Sequence, residues 1–167
     1  MMPAVCTEPT MTERHLEIVR KTLRPYVDRG VFRSFAETQL RGGKTQFSFV
    51  WLEHDPFVLV VDPDKGTLSF KNVLRNVPPR SDVYVAVKHF VQGRYDKSLP
   101  SHRAIDPARA GVKTTYSKGN VSIVWTVSRN QYAYAVKRFL NLLNEIFVLL
   151  HTEFFEYMVE NFDASQE

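Results

Sequence analysis

The sequence predicts an α+β fold: an antiparallel sheet of about six strands packed against a long C-terminal helix, with an N-terminal helix and a middle helix. Three observations carry this expectation. Short runs with strand-like alternation flank turn signals at Gly42-Gly43, Asp62 to Gly66 and Lys118-Gly119-Asn120. Apolar residues recur at three- and four-residue steps over residues 12–26. From Asn130 to Phe162 no proline or glycine interrupts an apolar stripe.

Each element has a local reason. Thr12 can cap the first helix, and Glu13 suits its first turn, where the helix dipole favours an anion. Leu16, Val19, Leu23 and Val27 make its apolar face; Pro25 and Gly30 are expected to end it. Strands are expected at 35–40 and 45–52, on either side of the glycine pair. Phe47, Phe49 and Trp51 then share one side, because side chains alternate along a strand. Strands at 57–61 and 67–70 flank Asp62-Pro63-Asp64-Lys65-Gly66, where proline presets φ and glycine permits positive φ. Pro78-Pro79 break the chain. Residues 81–95 fit a strand through Val83, Val85 and Val87, and a helix through Val83, Val87, Phe90, Val91 and Tyr95. A helix is preferred, because Ser81 can cap it, Asp82 suits its first turn and Gly93 lies near its end. Residues 96–112 contain Pro100, Pro107 and Gly111 and read as a long irregular loop. A hairpin of strands at 113–116 and 121–128 precedes the last helix.

That helix, expected over residues 130–162, is apolar on more than one side. Tyr132, Val136, Phe139, Leu140, Leu143, Ile146, Phe147, Leu150, Phe154, Tyr157 and Met158 make a stripe that suits the sheet. Val148, Phe155, Val159 and Phe162 make a second stripe, flanked by Leu142 and Leu149. A helix apolar on two sides needs cover on two sides. A straight helix of this length spans roughly 50 Å, whereas a domain of this size is about 40 Å across. The far end must therefore project, bend or pack on a second copy. Leu142, Val148, Leu149, Phe155, Val159 and Phe162 are the expected partner interface.

The length, 167 residues, fits a single domain over residues 12–162, with a loose tail at 1–11 and an acidic one at 163–167. Cys6 is the lone cysteine, which leaves no internal disulfide and no multi-cysteine zinc site. A reducing, cytoplasmic setting follows. No apolar run reaches the length of a membrane span, and residues 1–12 lack the apolar core of a secretory signal. Charge is uneven. Residues 75–118 hold nine Lys/Arg against three Asp, whereas residues 139–167 hold six acids and no Lys or Arg. The two segments can attract each other, within one chain or between two.

Candidate chemistry is sparse. His54-Asp55 lies at an expected turn, without the third ligand that a metal site needs. Arg94, His102, Arg103, Arg109 and Lys113 offer an anion site, since guanidinium groups bind phosphate and carboxylate bidentately. Tyr84, Phe90, Tyr95 and Tyr116 interleave with this basic segment, so nucleic acid is an alternative ligand, less favoured because no strand carries an aromatic-rich RNA-binding motif. His15, His89 and His151 read as ordinary surface or core-edge histidines. No phosphate loop, dinucleotide-binding glycine pattern or nucleophile elbow occurs, so no cofactor is expected and an enzyme of unknown class ranks third.

The order helix, antiparallel strands, helix, hairpin, long helix resembles the type III secretion chaperone-like fold, including YbjN-like proteins. The three turns and the closing helix carry the resemblance, which spans Thr12 to Phe162. It implies a small cytosolic protein, often a homodimer, that acts by binding other proteins. The pI of 9.2 and the long 96–112 loop depart from that group, whose members are typically acidic. The expected function is protein–protein association, homodimeric or chaperone-like, with no membrane involved.

Overall fold

The computed structural model describes residues 10–51, 56–128 and 130–162. The chain runs α1 (Met11–Asp28), β1 (Arg33–Gln39), β2 (Thr45–Val50), β3 (Phe57–Asp62), β4 (Thr67–Leu74), α2 (Asp82–Gln92), β5 (Ala110–Ser117), β6 (Asn120–Val127), α3 (Tyr132–Glu153) and α4 (Phe155–Phe162). The six strands form one antiparallel sheet in the order β1-β2-β3-β4-β6-β5. The α+β class expected from the sequence is the class observed.

Alternation decides which face of the sheet is covered. Phe47, Phe49, Leu59, Val61, Leu68, Phe70, Val121, Ile123 and Trp125 point to one side and are buried with Val136, Phe139, Leu143 and Ile146 of α3. Phe70 of the sheet stacks on Phe139 of the helix. The intervening residues, among them Gln46, Ser48, Val58, Val60, Ser69 and Val124, are only half-buried. The sheet is therefore thickly covered on one face.

Turn chemistry behaves as its residues require. Gly42 and Gly43 both adopt positive φ in the turn between β1 and β2. Gly66 sits at φ +65°, with its carbonyl accepting from the Val127 N–H at 2.8 Å. A bulge in β4 at Asn72, φ 51°, shifts the register on β6 between Phe70 and Leu74. The bulge lets both Val73 and Leu74 turn inward.

Four expectations are corrected. The first helix starts at Met11 under a Thr10 cap, whose side chain accepts from the Glu13 N–H; Thr12 lies inside it. Pro25 lies within that helix and does not end it; the helix runs to Asp28. The segment at 96–112 is not all loop, because β5 already begins at Ala110. The single helix over 130–162 is in fact two, separated at Phe154, whose φ of −133° and ψ of 48° leave the helical region.

The break has a local companion and a tertiary reward. Thr152 donates its hydroxyl to the Val148 carbonyl at 2.8 Å, a back-bond of the kind that bends helices. Turning at Phe154 brings Met158 and Phe162 into the core. The Phe162 ring then meets Phe147 edge-on, with centroids 5.3 Å apart. A straight helix would carry those residues away from the domain.

Residues 81–95 resolve as a helix followed by a 3-10 turn at Gly93–Tyr95. Ser81 caps α2 by accepting from the Tyr84 N–H. Val83, Val87 and Val91 are buried, while Val85, on the strand reading a neighbour of Val83, is 56% exposed. Packing against β5 selects the helical period.

Candidate functional site

The second apolar stripe of the C-terminal segment divides once the chain is folded. Leu142 is 3% exposed and Phe162 8%, so both belong to the core and not to a partner interface. Leu142 is buried within the core cluster, and Phe162 is covered because α4 folds back at the break at Phe154, which a straight-helix reading does not contain. Leu149 and Val159 are half-buried. Val148, at 57%, and Phe155, at 40%, remain exposed. The candidate surface thus narrows to Val148 and Phe155, with the His151 ring lying 6.5 Å from that of Phe155.

Beside Phe155 runs a groove of about 840 Å³ between the start of α2 and the α3–α4 break. One wall comes from Asn76, Pro78, Ser81, Asp82 and Val83; the other comes from Thr152 through Tyr157, with Glu160 and Asn161. The two walls are fastened at one end. Tyr157 donates to the Arg75 carbonyl at 2.6 Å, and the Arg75 guanidinium donates to the Asn161 carbonyl at 2.7 Å. Asn76 Nδ2 donates to Asn161 Oδ1 at 2.9 Å. Burial pushes the Tyr157 hydroxyl up to about 12. Glu153, Glu156 and Glu160 are visible in the sequence as an acidic run; Asp82, some seventy positions earlier, has no sequence signal linking it to them.

The expected anion-binding residues do not converge on a free site. Arg94 and Arg103 do come together, and what they hold is Glu145: Arg94 Nη1 lies 2.6 Å from one carboxylate oxygen and Arg103 Nε 3.5 Å from the other. The Arg94 guanidinium also lies 4.0 Å over the Phe90 ring. Arg109 donates to Gln131 at 2.6 Å and stacks on Tyr134 at 3.8 Å. His102 is exposed, and its carbonyl accepts from Asn141. Lys113 is exposed on β5, paired in register with Val124 on the thinly covered face of the sheet. An anion bound at Arg94 and Arg103 would have to displace Glu145.

The segment before β5 is held down by the polar back of α3. Arg138 donates to the Ser101 carbonyl at 2.7 Å, and the Asp106 N–H donates to the Tyr134 hydroxyl at 3.0 Å. Backbone groups that water would otherwise satisfy are paired with a helix face. The aromatic residues of the basic segment are likewise engaged. Tyr95 both donates to the Val112 carbonyl and accepts from its N–H. Tyr116 donates to the Val77 carbonyl at 2.6 Å and meets Tyr84 edge-on. Tyr84, Phe90, Tyr95 and Tyr116 are all half-buried.

His54-Asp55 and Cys6 lie outside the described residues. His15 stacks on Tyr132 with ring centroids 4.4 Å apart, and its nitrogens make no hydrogen bond. Among the described residues no group of three or more His, Cys, Asp or Glu is placed to hold a metal ion, and no helix is long and apolar enough to cross a membrane.

Fold and surface together define a class: a one-sheet α+β domain with helices on one face and an acidic, partly apolar groove at the C-terminal helix break. No protein-family model matches the chain, and comparison with curated proteins and with solved structures finds no match.

Proposed function

We propose that the protein is a protein–protein interaction module that holds a segment of another protein at the α3–α4 surface, in the manner of a chaperone. The observation that carries this reading is the exposure of Val148 and Phe155 on the C-terminal helices, with Phe155 lining the groove. The resemblance to the type III secretion chaperone-like fold supports the same kind of activity. The single cysteine, Cys6, supports a reducing compartment, the cytoplasm, as its setting.

Magnitudes show that this apolar pair does not suffice by itself, for a bound segment or for a homodimer. Fully burying Val148 and Phe155 would contribute about 1.5–3 kcal/mol each, and less here because both are already partly covered. Association costs about 4 kcal/mol or more before any contact counts. The apolar pair must therefore act together with polar groups, and the groove beside it supplies them.

The test is an immobilised peptide library of varied charge and apolar content, probed with the wild-type protein and with a Val148→Ser/Phe155→Ser variant of unchanged circular dichroism. Peptides retained by the wild type and lost by the variant are the expected result. A library that retains nothing overturns the reading. Light scattering on the same samples reads the homodimer: a wild-type dimer that the double variant converts to a monomer would replace the bound segment with a second copy.

A further inference from the structure

We infer that the groove takes a cationic segment of a partner protein, with Lys or Arg residues flanking an apolar anchor. This rests on the reading of the protein as an interaction module and names the chemistry of its ligand.

The groove combines an apolar contact with unneutralised charge. Phe155 is exposed and Tyr157 half-buried along its wall, so an apolar side chain finds a surface to cover. Around them stand four exposed carboxylates: Asp82, Glu153, Glu156 and Glu160. No Lys or Arg lines the groove, and none of the four forms an ion pair with a described residue. Three acids elsewhere are matched, while others spread over the surface, such as Glu13, Asp28 and Asp64, are likewise unpaired among the described residues; what sets the groove apart is that four lie together in it. Glu145 is held by Arg94 and Arg103, and Glu17 and Glu37 by Arg20. Arg75, at the end of the groove, is directed at the Asn161 carbonyl and the Phe162 ring.

Glu153 adds an argument independent of the count. It is the last residue of α3, where the negative end of the helix dipole disfavours an anion. A cation laid across this end relieves that interaction and the repulsion among the four acids, of which Asp82 and Glu156 are themselves favoured by the first turns of α2 and α4. An anionic ligand worsens both.

The groove volume, about 840 Å³, suits the side chains of an extended segment.

Fluorescence anisotropy with short labelled peptides tests this. The probes are a peptide of lysines around a central leucine, the same peptide with glutamates, and one with glutamines. The lysine peptide is expected to bind the wild-type protein more weakly as salt rises. It should lose about tenfold or more in affinity for an Asp82→Asn/Glu153→Gln/Glu156→Gln/Glu160→Gln variant. Phe155→Ser, with all four acids intact, should also weaken it, which diffuse attraction to negative charge would not. All these substitutions are at exposed positions, and the salt series on the wild type is a second measurement should the fourfold variant misfold. Equal binding of the lysine peptide to the fourfold variant, or equal binding of the glutamate peptide to the wild type, overturns the inference. A wild-type dimer that the fourfold variant dissolves makes the occupant a second copy and overturns it too. If the glutamine peptide binds as well as the lysine peptide and depends on Phe155 alone, the interaction module stands and its cationic ligand falls. If no peptide binds, both fall.

Discussion

Tyr157 of α4 donates its hydroxyl hydrogen to the Arg75 carbonyl, just past the end of β4, at 2.6 Å, and Arg75 answers with its guanidinium on the Asn161 carbonyl. The two residues are 82 positions apart. Together they clasp α4 against the sheet and set the far end of the groove.

Tyr157→Phe keeps the ring and removes the clasp. The Arg75 carbonyl then loses a half-buried partner, so the variant should be less stable by about 1–2 kcal/mol. Urea denaturation reads the loss as a lower midpoint at unchanged slope. Amide exchange at Met158 and Phe162 should accelerate more than exchange in α3, because α4 is the element released.

The same hydroxyl gives a pH dependence. Burial raises Tyr157 to about 12; an unfolded tyrosine titrates near 10. Above about pH 10 the unfolded chain loses its proton before the folded one, which favours unfolding. This contribution is therefore fully present below about pH 10 and is lost as pH rises toward 12. Tyr132, raised by burial and by the charge of Asp62, adds a loss of the same sign. Denaturation midpoints across this range should fall less steeply in Tyr157→Phe than in the wild type. Parallel curves would show that Tyr157 is not the source.

Glu145 neutralises two guanidinium groups, of which Arg94 is in a largely dry setting and Arg103 is not: side-chain exposures are 14% for Arg94, 21% for Glu145 and 52% for Arg103. An exposed pair contributes about 1 kcal/mol or less, whereas breaking a fully buried one costs about 3–5 kcal/mol. Glu145→Gln should fall between, at about 2 kcal/mol of lost stability. High salt should recover little of it, because Arg94, the closer of the two stranded charges, lies mostly out of water. A loss that salt abolishes would mark the pair as a surface contact.

Gly66 and Gly42 separate two costs of a side chain. Both have positive φ, +65° and +76°. A Cβ at Gly42 meets nothing within 4 Å, whereas one at Gly66 lies 3.3 Å from the Val127 carbonyl oxygen. Gly42→Ala should cost about 1 kcal/mol from backbone strain alone. Gly66→Ala should cost more, because that carbonyl belongs to the strand that Gly66 itself receives. Thermal denaturation of the two variants gives the difference; equal losses would mean that β6 yields without cost.

How much could be read from the chain depends on how local each cause is. The six strands follow from alternation and from turn residues that act within four positions of one another. The start of α2 follows from Ser81, whereas the spacing of its valines fits strand and helix alike and packing against β5 decides between them. The candidate surface was legible only in part. Val148 and Phe155 stand exposed, but Leu142 and Phe162 have the same apolar spacing and lie inside. The anion-binding residues were chosen for their type, and type does not reveal that Glu145 already lies between Arg94 and Arg103.

The sequence by itself determined the class of fold, the faces of its strands and helices, and the acidic character of residues 139–167. Those properties depend on side-chain period and composition, which neighbouring residues fix among themselves. Only the tertiary structure decided where the last helix breaks, which part of its second stripe is covered, and that Asp82 stands across from Glu153, Glu156 and Glu160. Those depend on free energy gained by residues far apart in the chain: Phe162 against Phe147, and Tyr157 on Arg75. No local pattern at Phe154 announces the turn, because the gain from turning there lies in contacts that exist only once the sheet has formed.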